Sequence, residues 1–322
     1  MPDDRSPIRI DVDLVRCDDA VTRVTHVAMT EPGPSRPFVL VAGLGVASTY
    51  FEFLAPTLAH RGDVYSLDLP GFGGLPKPSA QPDTAFFADQ VEAVLDRFDL
   101  ANPVLLGHSM GTQVVVEVLR RRPHISHAIL VGPVVDDREP GALIQAVRFA
   151  QSSLHESLHL AMTALAAYLL CGTGYFLRTL PAMLRFRMLE QIAPVTAKVL
   201  LIRGEFDRSS PRRFHSRIVA AAQDAWRWEI EGAAHSVING HAIGVARLAV
   251  RHLDGQLPRK GRMPEAQAAL PPARHADVRM VLAAVGARVR EWFSALRQDP
   301  RGVEASKRLH ARILWEAYDP DR

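Results

Sequence analysis

The 322 residues are 48% hydrophobic, enough to build a sizeable core in one large domain or in one domain with an appendage. Two cysteines, Cys17 and Cys171, exclude a disulfide framework and a cysteine-based metal site. The net charge of +3 is unevenly placed: residues 258–322 hold 13 Lys/Arg against 8 Asp/Glu, so the basic character belongs to the tail.

The amino terminus shows no basic stretch followed by an apolar one, so no signal peptide is expected. The most apolar stretch, 158–171, is shorter than the ~20 residues of a membrane span and reads as a buried or lid helix. No transmembrane segment is expected, and the location expected is cytoplasmic. No phosphate-binding loop and no metal-ligand spacing are found, so no cofactor and no metal are expected.

Taken in chain order, two alternating runs at 8–15 and 21–29 predict strands with one exposed face. A Pro/Gly/Ser turn at 32–37 leads into Phe38-Val-Leu-Val-Ala, a strand buried on both faces, which ends in Gly43-Leu44-Gly45. A helix follows at 50–60. The strand at 64–67 closes in Asp68-Leu-Pro-Gly-Phe-Gly-Gly, and the next helix spans 85–98. Val104-Leu105-Leu106 then precedes Gly107-His108-Ser109-Met110-Gly111, and the run 112–119 is helical. A strand at 128–131 ends in Gly132-Pro133. No strand signal follows until 199–202, which ends in Gly204-Glu205-Phe206-Asp207. A helix at 213–222, a strand at 226–230 ending in Gly232-Ala-Ala-His235, and a closing helix at 237–253 complete the series. This alternation predicts an α/β fold, a mostly parallel twisted sheet with helices on both faces.

The stretch 107–111 is a G-x-S-x-G motif in strand–turn–helix context. Such a turn strains the serine backbone and excludes a Cβ on either side. It holds the hydroxyl at the carboxyl edge of the sheet and presents the next N–H, that of Met110, to a forming oxyanion. A serine needs a base, and the base needs a group to fix its tautomer. Ser109, Asp207 and His235 each follow a predicted strand, so all three gather at one sheet edge. Asp136 and Asp137, after the preceding strand, are the alternative acids; the spacing before His235 favours Asp207.

The blocks Ala42-Gly43-Leu44-Gly45, Asp68-Leu69-Pro70-Gly71-Phe72-Gly73, 107–111, 204–207 and 232–235 together resemble the α/β-hydrolase superfamily over residues 38–253. The resemblance implies that Ser109 is the nucleophile, Asp207 the acid and His235 the base. It implies an oxyanion hole from the backbone N–H groups of Leu44 and Met110. Ala42 departs from the family, which often has His there. The activity implied is serine esterase-like cleavage of an ester or related acyl compound through an acyl-enzyme. Carbon–carbon bond hydrolysis, acyl transfer and perhydrolysis use the same three groups, and a binding protein that lost the chemistry is the alternative from another class.

The expected organisation is a core of residues 1–132 and 194–254, a helical cap at 133–193 broken at Gly141, Gly172-Thr-Gly174 and Pro181, and a linker with a helical extension at 255–322. The cap offers Tyr168, Phe176 and Met183 as pocket residues for an apolar acyl or alcohol group of a small-molecule substrate. In the extension, Val278, Val281, Leu282, Val285, Val289, Trp292, Phe293 and Leu296 form one apolar stripe, and a second helix is expected at 303–317. Arginines beside Trp292, Phe293 and Trp315 raise nucleic acid or an anionic membrane as partners. The aromatics fall on the stripe, however, so no nucleic acid is expected, and docking on the body or pairing with another subunit as a homo-oligomer is favoured.

Overall fold

Runs of apolar residues in the middle of the chain form strands whose alternate side chains feed two separate cores. Val39 and Val41 pack into one and Phe38 and Leu40 into the other, and Leu105, Leu201 and Leu106, Leu200 divide the same way. The computed structural model describes residues 8–30, 36–156, 158–271 and 278–318. The turn expected at 32–37 lies, as far as residue 35, outside the described residues, as does the linker segment 272–275.

Nine strands form one sheet. They are β1 (Ile8–Cys17), β2 (Ala20–Met29), β3 (Phe38–Val41), β4 (Val64–Asp68), β5 (Val104–His108), β6 (His127–Val131), β7 (Lys198–Gly204), β8 (Ala225–Ile230) and β9 (Lys260–Met263). Their order is β1-β2-β4-β3-β5-β6-β7-β8-β9, and β2 alone runs against the rest. One face carries α2 (Thr84–Arg97), α3 (Met110–Arg121), α7 (Met188–Ile192) and α8 (Arg212–Ala221); the other carries α1 (Leu54–Ala59), α9 (Val237–Gly240), α10 (Ala242–Leu253) and α11 (Glu265–Ala268). The cap between β6 and β7 is built from α4 (Ala142–Ser153), α5 (Leu158–Cys171), α6 (Thr173–Arg185) and α7. Gly172, with φ at +76°, makes the break between α5 and α6. Pro181, expected to break the cap, lies inside α6 without ending it.

The segment read as a linker contains the ninth strand. Lys260-Gly-Arg-Met pairs parallel with β8 from Arg227↔Lys260 to Ile230↔Met263, and Ala268 of α11 is fully buried against Gly244. A short, charged strand with no β-branched residue is what an exposed sheet edge tolerates, and it carries no strand signal in the sequence.

The tail folds back as α12 (Val278–Leu296) and α13 (Pro300–Tyr318). At the opposite sheet edge, α13 occupies the free backbone groups of β1. The Val12 N–H donates to Glu304 at 3.1 Å, and Arg308 Nε donates to the Ile10 carbonyl at 2.6 Å. Side chains of the tail thereby blunt an edge that is otherwise open to pairing. Between the tail and the body lies a buried ionic cluster. Arg288 pairs with Glu52 and, at 2.5 Å, with Glu291; Lys307 pairs with Glu291 at 2.9 Å and donates to Ser48 Oγ at 3.1 Å. Burial alone would raise the Glu291 carboxyl, but Lys307 and Arg288 outweigh it and pull it down to about 2. Glu291 ionises more readily folded than unfolded, so its contribution to stability is complete above the ordinary glutamate range and is lost as pH falls toward 2. Glu291→Ala leaves the buried Lys307 without its acid and Arg288 with Glu52 alone, and is expected to cost about 3–5 kcal/mol, read from urea unfolding at pH 7. A loss below 1 kcal/mol would show that the tail is not anchored by this cluster.

Candidate functional site

The end of β5 leads into α3 through Ser109, which holds φ 55° and ψ −123°, a left-handed conformation unusual for serine. The turn fits because its flanks are glycines. A Cβ on Gly107 would meet the Gly111 carbonyl at 2.5 Å, and one on Gly111 would run into the Val41 carbonyl. The neighbouring loop approaches as closely, since a Cβ on Gly43 would lie 2.9 Å from that of Ser109. Met110 begins α3, so its N–H has no partner within the helix. The N–H of Leu44 makes no loop or turn hydrogen bond among the described residues.

Asp207 follows β7 and His235 follows β8, and the two meet. His235 Nδ1 lies 3.0 Å from Asp207 Oδ2, with side chains 4% and 0% exposed. The other oxygen, Asp207 Oδ1, accepts the Ser210 N–H at 3.0 Å, and Arg203 donates to the Asp207 carbonyl at 2.7 Å. Burial alone would raise the Asp207 carboxyl; the charge and hydrogen bond of His235, then Arg203, hold it below the usual carboxylate range. Burial would lower the His235 imidazole, yet Asp207 and then Glu156 raise it above the ordinary histidine value. With Nδ1–H donated to the carboxylate, Nε2 is left as the acceptor. Ser109 and His235 line the same cavity and are not hydrogen-bonded to each other among the described residues.

Neither alternative acid reaches the histidine. Asp136 is buried against α8, paired with Arg217 and lying 3.7 Å from Arg213, and Asp137 accepts the Leu189 N–H at 3.3 Å. His108 donates from Nε2 to the His235 carbonyl at 3.0 Å, and burial pushes its imidazole down to about 3, so it supports the loop as a neutral group. Asp68 accepts from Arg23 Nε at 2.7 Å and from the Ser48 N–H at 2.5 Å, a structural lock on the chain that follows Gly45.

The cavity over Ser109 has a volume of about 500 Å³. Tyr168, Phe176 and Met183 line it, as do Leu44 and Phe149, whose ring sits 6.2 Å from that of His235. Tyr168 and Phe176 also pack against the loop at Gly45, where an added Cβ would lie 3.0 and 3.3 Å from them. Two features have no motif to announce them. Phe149 is one apolar residue among many in α4. Glu156 sits in the break between α4 and α5 and accepts the Ser236 N–H at 2.7 Å, tying the cap to the histidine loop. Burial raises its carboxyl, opposed by the Ser236 N–H and His235; Tyr50 and Asp207 also face it. Among the described residues, no group of three or more His, Cys, Asp or Glu side chains is arranged to hold a metal ion.

A family model described as the alpha/beta hydrolase fold matches residues 36–160. Over 174 residues the chain is 30% identical to the dihydrolipoyllysine-residue acetyltransferase component of the acetoin cleaving system of Pseudomonas putida, covering 53% of this chain and 46% of that one. Over 100 residues it is 35% identical to 1-acylglycerol-3-phosphate O-acyltransferase of Arabidopsis thaliana, covering 29% of this chain and 24% of that one. The matches thus span from a quarter to under half of these curated relatives. Among solved structures, 2-hydroxy-6-oxo-6-phenylhexa-2,4-dienoate hydrolase from Rhodococcus superposes with a TM-score of 0.62 at 15% identity, over 77% of this chain and 99% of that one. The naproxen esterase of Bacillus subtilis superposes with a TM-score of 0.59 at 16% identity, over 77% of this chain and 92% of that one. At these identities the likeness concerns the fold.

Proposed function

The chain belongs to the α/β-hydrolase superfamily, and from that premise we propose that it is a serine hydrolase cleaving a carboxylic ester or a related acyl compound through an acyl-enzyme. The observation that carries this reading is the buried Asp207–His235 pair, whose histidine lines the same cavity as a serine held on a strained turn. His235 Nε2 takes the Ser109 proton as Oγ bonds to the acyl carbon. The oxyanion forms against the backbone N–H groups of Leu44 and Met110. As the carbon–oxygen bond to the leaving alcohol breaks, His235 returns the proton to that alcohol. A water then loses its proton to His235 and attacks the acyl carbon. The acid departs, and the proton goes back to Ser109. The apolar lining favours a small-molecule substrate with an apolar acyl or alcohol group.

Acyl transfer, the activity named for the two curated relatives, shares the acyl-enzyme and differs only in an alcohol or amine replacing water. A fluorophosphonate probe tests the common step, with labelling expected on Ser109. Release of p-nitrophenol with and without an added alcohol acceptor then separates hydrolysis from transfer. Protein that stays unlabelled would overturn the reading.

The base works as neutral imidazole, and its raised pKa displaces the acid limb of the kcat/KM profile above the ordinary value of about 6.5. Glu156→Gln removes a negative charge that favours imidazolium, so the limb is expected to move to lower pH. A limb unmoved by this substitution would show that Glu156 only tethers Ser236.

A further inference from the structure

Most of the apolar stripe of α12 does not face the body: Val281, Leu282, Val285, Phe293 and Leu296 are exposed, while Val289 and Trp292 are half-buried. The helix buries its polar side, Arg288 and Glu291, and turns Leu282 and Phe293 outward at 66% and 58% exposure. Of fifteen large apolar side chains exposed among the described residues, fourteen lie in the cap or on α12. On α5, Leu165 and Leu169 are exposed in the same way, on a helix with no charged residue. The two helices are neighbours: one crevice is walled by Thr163 and Ala167 of α5 and by Trp292 and Ala295 of α12. The apolar surface also runs into the cavity, because Phe149 and Leu177 are both exposed and part of its lining.

We propose that this joint face of α5 and α12 is a docking surface for an anionic phospholipid bilayer, which would lie over the mouth of the Ser109 cavity. Two observations choose this occupant. The exposed charges of α12, Arg279 and Arg290, are both positive, while its one acid is buried in the ionic cluster. The face also adjoins the cavity, because Tyr168 of α5 lines it next in the chain to the exposed Leu169. Exposed apolar side chains beside cations are what an interfacial helix presents to lipid, where cations near the surface add attraction to anionic headgroups. Among the described residues no single helix is long and apolar enough to cross a membrane, while α5 and α6 reach that length and composition only as a pair bent by 98°; the contact proposed is one of surface. Docking is independent of the reaction proposed above.

The test is flotation of the full chain with vesicles of phosphatidylcholine alone and of phosphatidylcholine with phosphatidylglycerol at about 7:3, at ~0.1 M salt. Wild-type protein and Ser109→Ala are both expected to float with the anionic vesicles. Leu165→Glu with Leu169→Glu, and separately Leu282→Glu with Phe293→Glu, are expected to lower the floating fraction about ten-fold or more while keeping the wild-type melting curve. The proposal is overturned if wild type stays at the bottom, if both vesicle types bind equally, or if the glutamate variants float as wild type does. It is overturned equally if wild type sediments as a dimer that these substitutions convert to monomer, which would make a second copy the occupant.

Discussion

Ser109→Ala is expected to lower kcat for ester cleavage by about 10⁵–10⁶-fold and to abolish fluorophosphonate labelling, and Ser109→Gly is expected to do the same while making the protein more stable. The loss follows from removing the only atom of the chain proposed to bond to the acyl carbon. What remains, the backbone N–H groups and the cavity, binds substrate and supplies no nucleophile. The gain in stability follows from the backbone. At φ 55° and ψ −123° a residue with a Cβ carries about 1–3 kcal/mol of strain. The turn does not depend on the side chain for its own hydrogen bonds: the Ser109 N–H donates to the Val131 carbonyl at 3.0 Å, and its carbonyl accepts the Thr112 N–H at 3.0 Å. Glycine keeps both bonds and relieves the strain, and its greater freedom in the unfolded chain takes back about 0.5–1 kcal/mol. The net expectation is about 1 kcal/mol of added stability, read from urea unfolding of the three proteins side by side. A glycine variant less stable than alanine would mean that the strain is not stored at this residue. Turnover surviving in either variant would remove Ser109 from its role.

Much of this architecture is legible in the sequence because the central strands are buried on both faces. Phe38-Val-Leu-Val and Val199-Leu-Leu-Ile must be continuously apolar, and the loops that hold Leu44 and Asp207 follow such runs. The turn at 107–111 is legible for a steric reason, since Gly107 and Gly111 admit no Cβ. The edges are less visible. Lys260-Gly-Arg-Met meets an exposed sheet edge, where charge is tolerated and no apolar pattern is needed. Asp136 and Asp207 follow adjacent strands; the spacing before His235 favours Asp207, and the contacts separate the two: Arg217 claims one and His235 the other.

The tail inverts the rule that reads a helix. A stripe of apolar residues ordinarily faces the core. Here Arg288, Glu291 and Lys307 neutralise one another and Glu52 inside the body, so the charged side can be buried and the stripe left outward. The partner Glu52 lies more than two hundred residues away in the chain, and no local pattern announces it. The side chains of Val278 and Trp315, counted in the stripe and among the tail aromatics, lie outside the described residues.

Asp207→Asn is expected to lower kcat by about 10⁴-fold with little change in KM, although it alters the size of the side chain hardly at all. The reason is the direction of two hydrogen bonds. Asp207 Oδ1 accepts the Ser210 N–H, a backbone donor with no other role available, and Oδ2 accepts from His235 Nδ1. An asparagine has one oxygen and one NH₂ to place there. Its oxygen stays on Ser210, because an NH₂ would meet that N–H donor head-on. The NH₂ therefore faces Nδ1, which must become the acceptor, and the ring proton moves to Nε2. His235 in that tautomer cannot take the proton of Ser109. The charge holding its pKa up is also lost, so the acid limb of the residual activity falls to lower pH. Asp136→Asn serves as the control, since that carboxyl is spent on Arg217. It is expected to cost stability and to leave kcat within a few-fold. The reverse pattern, a silent Asp207→Asn beside an inactive but folded Asp136→Asn, would move the acid to the end of β6, and the geometry around Ser210 is the reason not to expect it.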